Sequence, residues 1–266
     1  MAAARALDGR VAIVTGGSRG IGRGIALELG ASGAAVAVNF RRDEEAAAET
    51  VEEIRAAGGR AKAFQASVTE LDQVEGLAEA ALAEFGFVDI VVNNAGIASR
   101  GNTVADSDPA EFERLMLTHA FSAMRLAQLL LPQMRERPRG DIVMISSSEV
   151  SAMRAGGAPY NMAKAALEAL ALTMAKEEVA NGVHVNVVAP GLVATDMGER
   201  LVKAKLGTVG MDELDAAQPL GRVCRPEDVA RVVRFVVSED AGMVTGQRIV
   251  VDGGVDAFPA ESETTA

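Results

Sequence analysis

The chain has 266 residues and a formal net charge of −11, with one cysteine (Cys224), no tryptophan, one tyrosine (Tyr160) and eight phenylalanines. The excess of acid makes nucleic acid and anionic membranes poor partners, and so few aromatic rings leave little on which bases could stack. A lone cysteine excludes an intramolecular disulfide and an all-cysteine metal site; with no apolar run of a secretory signal at Met1 to Asp8, and no stretch of about 18 uncharged apolar residues, a soluble protein of the reducing cytoplasm with no metal is expected.

The length suits one large α/β domain, although two remain arithmetically possible. The first aliphatic run, Val11 to Val14, enters Thr15-Gly16-Gly17-Ser18-Arg19-Gly20-Ile21-Gly22, which opens a helix ending near Gly30. Strand, glycines and helix in that order suit a phosphate, because glycines allow close backbone approach and the helix N-terminus offers free amides and a positive dipole end. The spacing is neither G-x-G-x-x-G nor a P-loop. A second run, Ala35 to Val38, leads into Asn39-Phe40-Arg41-Arg42. In a dinucleotide fold this strand end selects the adenosine ribose, and an acidic residue here would bond a 2′-hydroxyl and repel a 2′-phosphate. None is present, whereas Arg41, Arg42 and Arg19 of the glycine turn bring guanidinium forks suited to a phosphate monoester, so NADP(H) is expected in preference to NAD(H).

Gly58-Gly59 stops the next helical stretch, and a third strand is expected over Ala61 to Phe64. Thr69 is predicted to cap a helix running to Glu84, with Gly86 as its stop. Strand Ile90 to Val92 precedes Asn93-Asn94-Ala95-Gly96, and Asp108-Pro109 opens a helix to Leu131. Strands Ile142 to Ile145, Val183 to Val188 and Ile249 to Val251 complete seven short runs, apolar on both faces and alternating with helices. That rhythm predicts a single-domain, doubly wound (Rossmann-like) α/β fold with a seven-stranded parallel sheet and helices on both faces. The rhythm breaks at about 192–218, where a substrate lid is expected beyond a strand's carboxyl end; the small polar tail from about residue 258 is expected to fray.

Tyr160 and Lys164 stand four residues apart in an amphipathic segment, so on a helix the ammonium lies beside the phenol, favours phenolate, and readies it for general acid or base work. Ser146, Ser147 and Ser148 end the fifth strand run, and strand alternation together with the thirteen-residue spacing to Tyr160 favours Ser147.

Taken together, Thr15-Gly16-x-x-x-Gly20-Ile21-Gly22, Asn93-Asn94-Ala95-Gly96, Ser147, Tyr160-x-x-x-Lys164 and Pro190-Gly191 resemble the short-chain dehydrogenase/reductase family, over residues 9 to 254. The ending Val244-Thr-Gly246-Gln-Arg-Ile-Val-Val-Asp252-Gly-Gly254 is similar to the 3-oxoacyl-[acyl-carrier-protein] reductase type. The resemblance implies hydride transfer between NADP(H) and a carbonyl or secondary alcohol. Tyr160 would exchange a proton with the substrate oxygen, Ser147 would bond that oxygen, and Lys164 would lower the phenol pKa and bond the nicotinamide ribose. It further implies coenzyme contacts from Gly16, Ser18, Arg19, Gly20, Ile21, Asn39, Arg41, Arg42, Ser67, Val68, Asn94, Ala95, Gly96, Pro190, Gly191, Val193 and Thr195. Two positions depart from the pattern: His119 stands where the family usually has the asparagine of a catalytic tetrad, and Ser67 where it usually has an aspartate for the adenine. Glu149 adds a carboxylate near the expected substrate mouth. Reductases of that type use basic residues to hold an acidic carrier; Lys176 matches one such place, and Pro138, flanked by Arg137 and Arg139, occupies the other. The substrate is therefore a 3-oxoacyl thioester or, equally, a small ketone, sugar, sterol or polyketide. A catalytically weak NADP-binding regulator and an interaction protein with a vestigial nucleotide fold are the rival classes. Family members commonly form tetramers through the helices expected here at 109–131 and 160–181, so a homotetramer is expected.

Overall fold

The structure is a computed structural model that describes residues 6–206 and 211–255. The frayed tail expected from residue 258 lies outside the described residues. Strands β1 (Val11–Val14), β2 (Ala35–Phe40), β3 (Arg60–Gln65), β4 (Ile90–Asn93), β5 (Gly140–Ile145), β6 (Val183–Pro190) and β7 (Arg248–Val251) form one parallel sheet in the order β3-β2-β1-β4-β5-β6-β7. Helices α1 (Gly20–Ala31), α2 (Glu44–Ala56), α3 (Leu71–Phe85), α4 (Pro109–Met116), α5 (Ser122–Met134), α6 (Glu149–Ala152), α7 (Ala158–Glu178), α8 (Asp196–Leu206), α9 (Met211–Asp215) and α10 (Pro226–Val237) surround it. The expected doubly wound sheet is thus present.

Strand alternation divides the core into two layers. Val11 and Ile13 of β1 share one layer with Val91, Met144 and Val187, covered by Leu77, Leu126, Leu130 and Leu167 of α3, α5 and α7. Ala12 and Val14 point the other way, with Val36, Val92 and Val188, beneath Ile25, Leu29, Ile54 and Val233 of α1, α2 and α10. Every residue of β1, β4 and β5 is buried, as strands covered on both sides require.

β1 lies between β2 and β4, with Val11 in register with Ala35 and Ala12 with Ile90. The chain leaves β1 toward one side and β4 toward the other, and their carboxyl ends open a crevice of the kind in which doubly wound folds bind ligands. The opposite, amino-terminal edge is closed by ions. Asp141, 1% exposed, accepts from Arg10 at 2.9 Å and from both Nε and a terminal nitrogen of Arg139, while Asp89 accepts from Arg137 at 2.9 Å.

Several expectations change. The helix opened by Asp108, whose carboxylate accepts from the Ala110 amide, does not run unbroken to Leu131. A π-helical segment at Leu117–Phe121 separates α4 from α5, and α5 continues to Met134 with Pro132 in its last turn. Thr69 does not cap α3: its hydroxyl lies 2.8 Å from that of Ser67, and Glu70 occupies the capping position without a side-chain bond. Gly86 ends α3 with φ 89, as expected. The region 192–218 holds α8 and α9; residues 207–210 lie outside the described part.

Candidate active site

The glycine turn explains why the chain can approach a phosphate here. A Cβ on Gly22 would lie 2.1 Å from the Gly16 carbonyl oxygen, and Gly16 itself has φ 62, so neither position accepts a larger residue without rearrangement. α1 then begins with no acidic residue in its first turn and no side-chain cap, leaving its first amides for an anion. Ser18 is buried in the turn, Arg19 is exposed beside it, and Gly20 and Ile21 begin the helix. Thr15 had no place among the predicted contacts, yet it joins the two sides of the crevice. Its hydroxyl oxygen accepts from the amides of Asn94 and Ala95 at 2.9 and 3.0 Å, and the Asn94 side chain donates to the Thr15 carbonyl at 2.8 Å.

Asn39 does not face the ribose position. Its side chain is buried; Oδ1 accepts from the Gly16 amide at 3.2 Å and Nδ2 donates to the carbonyls of Phe64 and Ala66. It therefore shapes the glycine turn, and Arg41 and Arg42 are exposed at the strand end. Among the described residues Arg19, Arg41 and Arg42 take part in no ion pair. Ser67 and Val68 follow β3 and are partly exposed, the Ser67 amide donating to Gln73 Oε1 at 2.8 Å. On the far side, the Ser148 amide donates to the Pro190 carbonyl, Gly191 packs against Asp252, and Val193 bridges in parallel to Cys224. The Thr195 hydroxyl is engaged as the cap of α8, accepting from the Gly198 amide at 3.1 Å, and its methyl faces Gly20.

Tyr160, Lys164 and Glu168 occupy successive turns of α7 on one face, against the carboxyl end of β5. The three serines separate cleanly. Ser146 donates to Glu168 Oε1 at 2.5 Å, Ser148 precedes α6, and the Ser147 hydroxyl oxygen accepts from the Glu149 amide at 3.3 Å on the side of the Tyr160 phenol. Lys164, buried, donates to the Ile145 carbonyl at 2.6 Å, and its Nζ lies 5.8 Å from the phenol ring centroid.

This geometry corrects the expected acidification of the phenol. Burial pushes the Tyr160 pKa up to about 12, the bond from Ser147 offsets part of that, and the Glu149 carboxylate adds to it. Burial brings the pKa of Lys164 itself down to about 7, partly opposed by Glu168. Both groups are short of water, which disfavours the charged form of each.

His119 sits in the π segment with its ring edge-on to Tyr160, centroids 5.5 Å apart. A Cβ on Gly96 would lie 2.8 Å from its Cε1, so the glycine after β4 makes room for the imidazole. Its Nε2 lies 3.0 Å from the Ile97 carbonyl and 3.4 Å from the Ile97 amide, so its role as donor or acceptor follows the tautomer, while Nδ1 is buried and without a partner among the described residues. Burial first, then Lys164, holds its pKa well below the ordinary value, so the ring is neutral. Glu149 is ion-paired with Arg154. Among the described residues no cluster of three or more metal-ligating side chains occurs, and no helix is long and apolar enough to cross a membrane.

A nucleotide crevice and a hydroxyl–phenol–amine cluster on the same edge of a doubly wound sheet define a nicotinamide-dependent oxidoreductase. Residues 16–256 match the family model described as enoyl-(acyl carrier protein) reductase. The chain belongs to the short-chain dehydrogenase/reductase family. It is 37% identical over 248 residues to the 3-oxoacyl-[acyl-carrier-protein] reductase FabG of Staphylococcus aureus, spanning 92% of this chain and 97% of that one. A 7α-hydroxysteroid dehydrogenase complexed with NADH and 7-oxo glycochenodeoxycholic acid superposes with a TM-score of 0.85 at 33% identity, covering 93% of this chain and 94% of the other. A blue fluorescent protein from a metagenomic library, in complex with NADPH, gives 0.84 at 34% identity, covering 93% and 98%.

Proposed function

We propose that this oxidoreductase works as an NADPH-dependent carbonyl reductase, and the observation that carries the reading is the gathering of Ser147, Tyr160 and Lys164 at the carboxyl end of β5, where Lys164 donates to the Ile145 carbonyl at 2.6 Å. Reduced nicotinamide, when bound, supplies a hydride to the carbonyl carbon. Tyr160 donates its proton to the carbonyl oxygen and Ser147 holds that oxygen. A phenol with a pKa near 12 is protonated at neutral pH and remains a competent donor to a developing alkoxide. Neutral His119 stands at the place of the family asparagine, edge-on to Tyr160. Arg19, Arg41 and Arg42 support selection of a 2′-phosphate, while Gly16, Ser18, Gly20 and Ile21 receive the pyrophosphate. Asn94, Ala95, Gly96, Ser67 and Val68 line the adenosine side, and Pro190, Gly191, Val193 and Thr195 the nicotinamide side.

Similarity to a 3-oxoacyl-[acyl-carrier-protein] reductase supports 3-oxoacyl thioesters as a substrate class. Arg137 and Arg139, however, are committed to Asp89 and Asp141, so exposed Lys176 is left with little help in holding an acidic carrier, and small thioesters and free ketones fit better. The segment 192–218 serves as the substrate lid, and the lone cysteine suits a cytoplasmic setting. Phe121, Met162, Leu172 and Val179 are exposed on the helices expected to pair, which supports a homotetramer. A panel of ketones and 3-oxoacyl thioesters with both coenzymes tests the function: NADPH should raise the melting temperature and support turnover, with NADH at least about tenfold poorer in kcat/KM. Equal use of NADH would remove the coenzyme assignment, and absence of turnover across the panel would remove the reductase.

A further inference from the structure

Three consecutive residues at the end of β5 are each held by a different charged side chain. Lys164 takes the Ile145 carbonyl at 2.6 Å, Glu168 takes the Ser146 hydroxyl at 2.5 Å, and Arg248 takes the Ser147 carbonyl at 3.0 Å. Glu168 and Arg248 are joined by contacts of 2.9 and 3.0 Å from one guanidinium nitrogen to both carboxylate oxygens. Arg248 comes from β7, eighty residues away, and both partners are largely buried.

We propose that the Glu168–Arg248 pair is a positioning clamp for the reductase chemistry: it fixes the strand end that presents Ser147 to Tyr160, and it sets the charge of Lys164. The inference rests on the roles assigned to Ser147, Tyr160 and Lys164 under the proposed function. Glu168 lies one helical turn beyond Lys164 and is the carboxylate that opposes the loss of the lysine's proton in a dry site. Arg248 compensates part of that carboxylate's charge, so the field Glu168 exerts on Lys164 depends on its own ion pair. The other groups around Lys164 are neutral His119 from the π segment, the Tyr160 phenol on α7 and the Ile145 carbonyl of β5, with Glu149 of α6 facing the phenol. A pair that only braced β7 against α7 would leave the lysine's ionisation unmoved.

The two halves of the clamp therefore act on Lys164 with opposite signs. The chain has five lysines, so the ε-methylene signals of full-length protein labelled with ¹³C-lysine can be followed by NMR, with Lys164 assigned by its loss in Lys164→Ala. Glu168→Gln should lower the Lys164 titration midpoint by about one pH unit, and Arg248→Met should raise it by a similar amount. Arg248→Lys, which keeps a cation, should restore the wild-type midpoint and serves if Arg248→Met does not fold. With NADPH and a reactive diketone, Glu168→Gln should reduce kcat about tenfold while the KM for NADPH stays within about twofold. Midpoints unchanged in both variants, or shifted in the same direction, overturn the clamp. A wild-type protein that reduces no carbonyl compound overturns the reductase reading instead, and opposite midpoint shifts in that protein would still establish the electrostatic link.

Discussion

The two ends of the sheet bury charge in opposite ways. At the amino edge, Asp89 and Asp141 are almost wholly buried, and each oxygen meets a guanidinium or an amide: Arg10 and Arg139 at Asp141, Arg137 and the Val11 amide at Asp89. At the carboxyl edge the buried titratable groups are left short. Lys164 has one carbonyl and a carboxylate a turn away, and His119 has an unpaired Nδ1. A buried pair that loses one partner leaves an uncompensated charge, so the amino edge serves the fold, whereas Tyr160, Lys164 and His119 have pKa values displaced from their ordinary ranges by burial. On the proposed function, the first edge serves the fold and the second the chemistry.

Removing the phenol oxygen tests this contrast most severely. Tyr160→Phe preserves the ring that stacks edge-on with His119 but leaves no proton to give, so kcat should fall about 10³-fold. The thermal shift with NADPH should persist, because the glycine turn and the arginines are untouched. Full activity in Tyr160→Phe would show that another group is the acid. At the amino edge the reverse pattern is expected. Asp141→Asn keeps the shape but leaves Arg10 and Arg139 without their carboxylate, which should cost about 3 kcal/mol of stability in denaturant titration. Activity per folded molecule should be unchanged. If Asp141→Asn lost kcat while keeping its stability, the separation of the two edges would be mistaken.

How much of this could be read from the chain follows from the range of the interactions. The seven strands were legible because burial on both faces leaves uninterrupted aliphatic runs, and Tyr160 with Lys164 because a four-residue spacing encodes proximity on a helix. Ser147 is favoured over Ser146 and Ser148 by strand alternation and its spacing to Tyr160, but the engagement of Ser146 with Glu168 has no local signal. The direction of the Asn39 side chain was not legible, since nothing local says whether a strand-end amide faces inward or outward. The π segment was hidden because Asp108-Pro109 and the apolar residues after it fit one continuous helix equally well. The height of the phenol pKa depends on burial contributed by elements far apart in sequence, and the Glu168–Arg248 pair spans eighty residues. Both lie beyond any local pattern.

The smallest expected effect sharpens the contrast at its most unusual residue. His119 is neutral in the folded protein because burial and Lys164 hold its pKa well below 6.5, whereas in the unfolded chain it takes up a proton as pH falls through that ordinary value. Below pH 6.5 the unfolded state therefore binds more protons than the folded one, so stability must decline on acidification until the folded imidazole itself titrates. Asn at this position has no proton to gain. His119→Asn should remove that component and flatten stability between about pH 6.5 and 5, a change on the order of 1 kcal/mol readable as the difference between the two proteins' denaturation midpoints across that window. Above pH 7 the difference should be constant, because both side chains are then neutral in both states. A constant difference across the whole range would mean that the imidazole is protonated as readily inside as outside, and the carboxyl edge would then be better hydrated than its packing implies.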